Sequence, residues 1–226
     1  MKVFIDIETL PPAGCGHAGC NSQEPCPDED YRKLALKPEF GRVLCVGLLI
    51  EDGGTVVQQG VLGRDRTTLI FHLDERRLLR SLWHLLRSFN PRSDVIVGHN
   101  VLDFDLPFLY RRSIIHNIQP AFKVSFARYR CQEVFDTMWM WGNWRDKVSL
   151  ATLAKVLGLQ RSKDGIEGSQ IYDLFMENRH VEIAEYCMRD VHLTREIYYR
   201  LNFITLEVIS GEVSLSTDDI STKAID

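Results

Sequence analysis

Two acidic residues lie close together near the start of the sequence, in a segment that is otherwise apolar. Asp6 and Glu8 are two positions apart, and in a β-strand side chains at that spacing point to the same face. Neighbouring carboxylates in an apolar setting repel each other and lose hydration unless a cation compensates them. The pair therefore indicates either a site for a hard divalent cation, Mg²⁺ or Mn²⁺, or a strand end that faces solvent.

A second acidic segment runs from Gly98 to Pro107, where an apolar strand pattern passes into a helical one. Backbone donors and polar side chains converge at such strand-to-helix junctions. Asp103 and Asp105 are both candidates for a metal ligand, and either one also suits the N-cap position of the helix. The spacing alone leaves these alternatives open.

The third segment combines a phenol with a carboxylate. Tyr186 and Asp190 are four residues apart, which places them on one face of a helix. The alternative is an exposed tyrosine beside an ordinary surface acid. The three segments in this order, D-x-E, N-x-x-x-F-D and Y-x-x-x-D, are more specific than any one of them alone.

The elements predicted to position these residues are strands first and then alternating strands and helices. Strand patterns cover residues 2–7, 43–50, 55–62 and 94–98, with a turn signal at Asp52-Gly53-Gly54 that predicts a hairpin. Helical spacing and capping residues predict helices from Asp74 to before Pro91, over 105–116, over 149–157 and over 181–201. This order is typical of an α/β domain with a mixed sheet.

The length and composition fit one globular domain. The chain has 226 residues, of which 45% are hydrophobic and 26% charged, enough for a full core without disulfide or metal staples. We predict a single domain over 1–203, with an inserted loop at 10–41, and a polar C-terminal tail at 204–226. No run of 18 apolar residues occurs, so no membrane span is expected. Asp6 interrupts any signal-peptide apolar region, and a cytoplasmic location is expected.

The cysteines divide into two groups. Three of them lie in the 10–41 insertion with a histidine, as Cys15, His17, Cys20 and Cys26. Thiolates and imidazole bind Zn²⁺, but the spacing lacks a paired C-x-x-C arrangement, so loop cysteines are favoured over a zinc site. Cys45, Cys131 and Cys187 lie in apolar patterns and are predicted to pack as small hydrophobic residues.

Taken together, the three motifs resemble those of the DEDD superfamily of 3′–5′ exonucleases, in the branch with tyrosine in the third motif. The resemblance rests on Phe4 with Asp6-Ile7-Glu8-Thr9, on Asn100 with Phe104-Asp105, and on Tyr186 with Asp190. Within that branch the chain is similar to the proofreading exonuclease domains of family B DNA polymerases, over roughly residues 2–203. The resemblance implies a ribonuclease H-like α/β fold with a central mixed five-stranded sheet flanked by helices. It also selects Asp105 over Asp103, because the family's acid directly follows the aromatic residue.

The chemistry implied by the resemblance is phosphodiester hydrolysis with two divalent ions, Mg²⁺ or Mn²⁺, which activate water and stabilise the leaving 3′ oxygen. The implied catalytic residues are Asp6, Glu8, Asp105, Tyr186 and Asp190. Asp6 would bridge the ions, with Glu8 and Asp190 at the one that activates water and Asp105 at the other. Tyr186 is expected to orient the attacking water, since a phenol with a pKa of about 10 is a poor base at neutral pH.

Substrate contacts are predicted in two groups. By resemblance, Thr9 and Leu10 are expected to contact the terminal sugar or base. Phe104 is expected either to stack on a base or to pack in the core. Asn100 is expected either to shape the turn or to contact the nucleic-acid strand. Residues 110–165 carry ten Lys or Arg and four acids, although the chain has a net charge of −4. Together with interleaved aromatic residues, this excess of basic residues suits contact with single-stranded nucleic acid. The alternative is a core segment edged by solvated charges. The preferred contacts there are Arg128, Arg130, Arg161 and Lys163, while Asp136 is expected to be structural.

The leading function is a metal-dependent 3′–5′ exonuclease that releases nucleoside monophosphates from single-stranded DNA or frayed ends, in repair or nucleic-acid processing. An RNA-trimming exonuclease fits the same residues, because four carboxylates and a tyrosine do not read the 2′-hydroxyl. A catalytically silent nucleic-acid-binding module on the same fold is a different class, and competent residues at all five positions argue against it. A nucleotide-binding regulatory domain would need a Gly-rich phosphate loop, which the sequence lacks.

Overall fold

Five strands form a mixed sheet at the centre of the protein. The computed structural model describes residues 1–14, 26–65, 67–123, 125–127, 129, 132–159 and 166–204. The strands are β1 (Lys2–Leu10), β2 (Arg42–Asp52), β3 (Thr55–Leu62), β4 (Val95–Gly98) and β5 (Val134–Asp136), in the spatial order β3-β2-β1-β4-β5. β2 runs antiparallel to β1 and β3, whereas β4 runs parallel to β1 and β5. The expected mixed, five-stranded α/β architecture is confirmed.

Helices flank this sheet, and those predicted from sequence are confirmed. Within the described residues they are α1 (Glu29–Lys33), α2 (Glu75–Leu85), α3 (Asp105–Ile115), α4 (Thr137–Trp141), α5 (Leu150–Val156), α6 (Ile171–Met176) and α7 (His180–Leu201). The Asp74 carboxylate caps α2 and the Ser149 hydroxyl caps α5, as their side-chain types predict. α2 ends at Leu85, earlier than the predicted end near Pro91.

Alternation along β1 divides the core into two layers. One face of the sheet packs against α2 and α3 through Val3, Ile5 and Ile7. On the other face Phe4 packs with Val191 and Tyr199 of α7. Because Asp6 and Glu8 follow Phe4 at even spacing, their side chains lie on the α7 face.

The 10–41 insertion contains regular structure that the sequence patterns did not predict. β1 extends to Leu10, and α1 forms at Glu29–Lys33, where the Asp28 carboxylate accepts hydrogen bonds from two N–H groups of the first turn. Arg32 makes two hydrogen bonds to Asp173 of α6, of 2.6 and 2.9 Å. The expectation of a loop throughout this segment is therefore wrong for these residues, because a five-residue helix shows too little periodicity to be recognised.

Several predictions fall outside the described residues. These include nearly all of the C-terminal tail, as 205–226, and three of the four potential zinc ligands, Cys15, His17 and Cys20. Cys26 is described and buried, and its N–H donates to the phenol of Tyr172 at 3.2 Å. Among the described helices, none has both the length and the apolar composition needed to cross a membrane.

Candidate active site

Four carboxylates and a phenol come together from three elements. β1 supplies Asp6 and Glu8, the first turn of α3 supplies Asp105, and α7 supplies Tyr186 and Asp190. The charges of Asp105 and Asp190 both act on Asp6, and the charge of Asp6 acts on Glu8. The structure therefore brings together all five residues of the predicted catalytic set.

One group of three potential metal-ligand atoms belongs to Asp6, Glu8 and Cys187. One carboxylate oxygen from each acid and the Cys187 Sγ all lie within 4.8 Å of one another. Oxygen ligands at 2.0–2.6 Å from one ion are themselves up to about 4–5 Å apart. Glu8 is 7% exposed, so its carboxylate faces the cluster and is largely withdrawn from solvent. This spacing suits a divalent cation.

Burial raises the pKa of every acid in the cluster. Desolvation is the main cause at Asp6 and Glu8, whose pKa values lie well above their ordinary range, and the neighbouring carboxylates add to it. Burial also raises the pKa of Asp105 to about 7 and that of Asp190 to about 6. The Arg189 charge and the Tyr186 hydrogen bond oppose this rise at Asp190, and a bound cation would lower the pKa of all four acids.

Asp105 is held against β1 by the backbone. Its Oδ1 accepts a hydrogen bond of 3.1 Å from the N–H of Ile7. The N-cap of α3 is Phe104, which makes no side-chain capping bond, so neither acid has the N-cap role considered from the sequence. The other acid, Asp103, lies 3.7 Å from the Lys147 Nζ.

Asp136 shapes the loop between β4 and α3. Its two carboxylate oxygens accept hydrogen bonds of 3.0 Å from the N–H groups of Asn100 and Leu102, in agreement with the expected structural role. Asn100 has a φ of +62°, a conformation that asparagine tolerates better than most residues. Its carbonyl accepts a hydrogen bond from the Phe104 N–H at 2.9 Å. Asn100 therefore shapes the turn, and its buried Oδ1 has no hydrogen-bond partner among the described residues.

Tyr186 and Asp190 reach the cluster because α7 lies very close to the sheet. Gly47 on β2 is directly opposite Asp6, and a β-carbon at Gly47 would lie 2.8 Å from the Cys187 Sγ. The glycine therefore permits the close approach of the helix. The Tyr186 phenol hydrogen-bonds to the Asp190 carboxylate, and burial with the nearby negative charges raises the Tyr186 pKa well above its ordinary value.

Two thiols lie beside the carboxylates, which the sequence patterns did not predict. Cys45 on β2 is the register partner of Glu8, and the Cys187 Sγ is 3.7 Å from the backbone oxygen of Asp6. Both cysteines are fully buried, as expected for small hydrophobic residues. The spacing of three residues between Cys187 and Asp190 is the sequence signal that places this thiol near the site.

The predicted substrate contacts have different placements. Thr9 is partly exposed and follows a bulge in β1. Leu10 is 1% exposed and packs in the core with residues of α6 and α7, so a side-chain contact with the substrate is not supported there. Phe104 is half-buried, with its ring 5.6 Å from that of Phe108. Four further predicted contacts, Arg128, Arg130, Arg161 and Lys163, lie outside the described residues.

Comparison with solved structures shows the same fold in a DNA polymerase. The protein is similar to the family B DNA polymerase from the hyperthermophilic archaeon Pyrobaculum calidifontis, with a TM-score of 0.61 and 18% sequence identity. The match covers 89% of this chain and 24% of the polymerase chain, so this chain spans about a quarter of that polymerase. The likeness shows the ribonuclease H-like fold. Among curated proteins, none matches the chain.

Comparison with sequence families gives a match over residues 36–223. This range includes Asp105, Tyr186 and Asp190. Asp6 and Glu8 precede the matched range, and the structure places them beside the other three residues. The family is described as a predicted 3′–5′ exonuclease related to the exonuclease domain of PolB. Because the match covers most of its length, the chain belongs to this family of predicted 3′–5′ exonucleases related to the exonuclease domain of PolB.

Proposed function

We propose that the protein is a metal-dependent 3′–5′ exonuclease that shortens single-stranded DNA and releases nucleoside monophosphates in the cytoplasm. The observation that carries the proposal is the cluster of four carboxylates beside Tyr186, of which Glu8 and Asp105 are buried and Asp6 and Asp190 are half-buried. Such a cluster is unfavourable for folding by itself, and perturbed acids of this kind concentrate at functional sites. Membership of the exonuclease family supports the reaction type.

The donor set fits two hard divalent cations, since carboxylate oxygens are the preferred ligands of Mg²⁺ and Mn²⁺. The resemblance implies that Asp6 would contribute to holding both ions, and the charges of Asp105 and Asp190 both act on it. Glu8 and Asp190 would hold one ion, and Asp105 the other. When bound, the ions supply an activated water and stabilise the leaving 3′ oxygen.

Tyr186 acts as a hydrogen-bonding group and not as a base. Its pKa lies well above the ordinary value because of burial and the charge of Asp190, so the phenol keeps its proton at neutral pH. The bond to Asp190 fixes the position of the phenol oxygen beside the cluster. That oxygen is then available to orient the attacking water.

The terminal nucleotide is bound beside the carboxylates by residues near the end of β1 and in the turn before α3. Thr9 lies one residue beyond Glu8, and Asn100 and Phe104 border the turn that leads to Asp105. The Asn100 Oδ1 has no hydrogen-bond partner among the described residues, but it is buried, so the turn must shift before this oxygen can accept from a sugar or base donor of the substrate. The half-buried ring of Phe104 is a flat surface for the terminal base.

The test is a time course on 5′-labelled DNA and RNA single strands of matched sequence, with Mg²⁺ or Mn²⁺. We expect stepwise shortening of the DNA from its 3′ end by the wild type and none by Asp6→Ala. Arg80→Ala, on the exposed face of α2, serves as the matched control with full activity. Shortening of RNA alone would replace DNA as the substrate. If neither strand is cut by folded, metal-loaded protein, the exonuclease proposal is wrong.

A further inference from the structure

An aromatic and basic surface borders the loop that leads to Asp105. Tyr129, Trp139, Trp144 and Lys147 form this surface, the aromatic platform. Trp139 belongs to α4, Trp144 and Lys147 follow α4, and Tyr129 precedes β5. None of these residues belongs to the carboxylate cluster.

Two rings of the platform are stacked, and a third is tilted against them. Trp139 and Trp144 are nearly parallel, with an interplanar angle of 6° and centroids 6.1 Å apart. The ring of Tyr129 lies 5.3 Å from that of Trp144, at an interplanar angle of 48°. The Lys147 Nζ lies 5.5 Å from the Trp139 centroid, which adds a cation beside the rings.

A tight turn holds the stack in place. The Trp144 N–H donates to the Trp139 carbonyl at 3.0 Å. A β-carbon at Gly142 would lie 1.9 Å from the Asp146 carbonyl oxygen, so the chain can fold back over α4 only with glycine there. Trp144 itself has a φ of +61°, which is uncommon for a bulky residue. The turn thus fixes the orientation of the Trp144 ring.

The platform is anchored inside the protein and open on its outer side. Trp139 is 4% exposed, whereas Tyr129 is 75% exposed. The Lys147 side chain is 66% exposed. A tyrosine ring that presents this much surface to water adds little to the core, and aromatic rings placed beside a cation are suited to binding flat ligands.

Two contacts join the platform to the loop between β4 and α3. The Lys147 Nζ lies 3.7 Å from the Asp103 carboxylate, two residues before Asp105. Val148 directly follows Lys147, and its backbone carbonyl oxygen lies 2.8 Å from the His99 Nε2 at the start of the same loop. The platform therefore adjoins the segment that delivers Asp105 to the carboxylate cluster.

We propose that the aromatic platform binds nucleotides upstream of the 3′ end of a single strand, by stacking of bases on Tyr129 and Trp144 and contact of a phosphate with Lys147. This inference rests on the proposed exonuclease function, which places the terminal nucleotide at the carboxylates. Stacked aromatic rings with an adjacent cation bind single strands with little sequence preference, because every base has a flat face. The excess of basic residues over 110–165 complements the phosphate backbone.

The first experiment measures binding without cleavage. Fluorescence anisotropy with a 5′-labelled oligothymidylate, in the presence of chelator, gives Kd for the wild type and for each variant. We expect Tyr129→Ala to raise Kd by about 5- to 150-fold, the range found for loss of one stacked base, and Tyr129→Phe to bind as the wild type does. Lys147→Ala should reduce the slope of log Kd against log salt by about 0.7, the value for one phosphate of a single strand. Arg80→Ala should leave both quantities unchanged.

The second experiment separates the platform from the catalytic site. The p-nitrophenyl ester of thymidine 5′-monophosphate contains one nucleoside and no upstream base. Tyr129→Ala should hydrolyse this ester as fast as the wild type does, while its kcat/KM on the oligonucleotide falls with the loss of binding. Equal loss on both substrates would overturn the inference, because it would indicate a disturbed active site.

The two proposals fail in different ways. If the wild type cuts neither substrate, the exonuclease function is wrong, although stacking on the platform is still measured by anisotropy. If the wild type degrades the oligonucleotide and Tyr129→Ala binds and degrades it equally well, the platform proposal is wrong and the exonuclease stands. Quenching of tryptophan fluorescence on binding, lost in Trp144→Leu, supports stacking, and its absence from the wild type counts against it.

Discussion

The carboxylate of Asp105 accepts a hydrogen bond of 3.1 Å from the backbone N–H of Ile7, across a sequence separation of 98 residues. Ile7 lies between Asp6 and Glu8, and its side chain packs in the opposite core layer. The backbone of β1 therefore orients Asp105, while the side chains on either side of Ile7 provide the other acids. This bond joins the first and second motifs.

Replacement of Asp105 by asparagine separates its charge from its structural contact. Asp105→Asn keeps an oxygen acceptor for the Ile7 N–H, so we expect the fold to be retained. The nuclease rate should fall at least about 100-fold, the size of effect seen when one electrostatic group of an active site is removed. Without metal, the free energy of unfolding should rise, because a buried charge disappears. Rates and urea unfolding curves of the two proteins check both statements, and an unchanged rate would contradict the assigned role.

The metal-free protein is expected to lose stability as the pH rises from about 4 to about 7. Burial raises the pKa of Asp105 from 3.8 to about 7 and that of Asp190 to about 6. A raised pKa in the folded state favours the protonated acid there, so the folded state binds more protons and its advantage disappears as the pH passes the folded pKa. Unfolding curves across this range, in chelator, measure the effect.

Divalent cations should reverse this trend at neutral pH. Mn²⁺ binds the ionised carboxylates of the folded protein and stabilises it by mass action. Asp6→Asn is the matched control, because it removes the carboxylate that is expected to bridge the ions. If the metal-free protein is equally stable at pH 5 and pH 7, or if Mn²⁺ stabilises Asp6→Asn as much as the wild type, the assigned cation site is wrong.

Tyr186→Phe removes the phenol oxygen and leaves the ring. Because the phenol stays protonated and orients the water, we expect kcat to fall about 10- to 100-fold, comparable with the effect of a small misplacement of a reacting group. KM and the affinity for Mn²⁺ should change less than kcat, since all four carboxylates remain and only Asp190 loses a hydrogen bond, the one from the phenol. Steady-state kinetics and a metal titration test this, and full activity would exclude the role of Tyr186.

Much of the fold is predictable because its elements carry strong local signals. The alternation around Phe4, the turn at Asp52-Gly53-Gly54 and the Ser149 cap each match the observed element. The three-residue β5 and the six-residue α6 are too short for a periodic signal. Their existence depends on pairing with β4 and packing against α7, which are contacts between distant parts of the chain.

The candidate site likewise has features that the sequence predicts and features that it does not. The motif residues are recognisable by type and spacing, and the choice of Asp105 over Asp103 agrees with the bond to Ile7. By contrast, the contact between the Cys187 Sγ and the backbone of Asp6 depends on how closely α7 approaches the sheet, and no local pattern encodes a helix-to-strand distance. Leu10 illustrates the opposite error, because adjacency to a motif does not reveal that a side chain faces the core.

Asp136→Asn tests whether the loop before α3 sets the geometry of the site. The Asp136 carboxylate accepts hydrogen bonds from backbone N–H groups, including those of Asn100 and Leu102. An amide replaces one acceptor oxygen with a donor that opposes another donor, which costs about 1–3 kcal/mol of stability. We expect kcat to fall as Asp105 is displaced, while the folded protein persists at lower temperature. Loss of stability with unchanged kcat would show that the loop does not position the acid.

Gly47→Ala tests the close approach of α7 directly. The added β-carbon would lie 2.8 Å from the Cys187 Sγ and 3.0 Å from the Val191 Cγ2, so these side chains or the helix that carries them must shift. Displacement of Tyr186 and Asp190 by a fraction of an ångström should reduce the rate by about 10- to 100-fold, with about 1–3 kcal/mol lost from overpacking.

The double variant Gly47→Ala/Cys187→Ala provides the control for this prediction. Removing the Cys187 thiol leaves space for the new methyl group, so the double variant should recover part of both the rate and the stability lost in Gly47→Ala. A double-mutant cycle measures this coupling from four proteins. Strictly additive losses would mean that the contact between Gly47 and Cys187 does not hold α7 at its position. Recovery of both quantities would establish that a helix-to-strand distance, set by one glycine and one thiol, places Tyr186 and Asp190 beside Asp6.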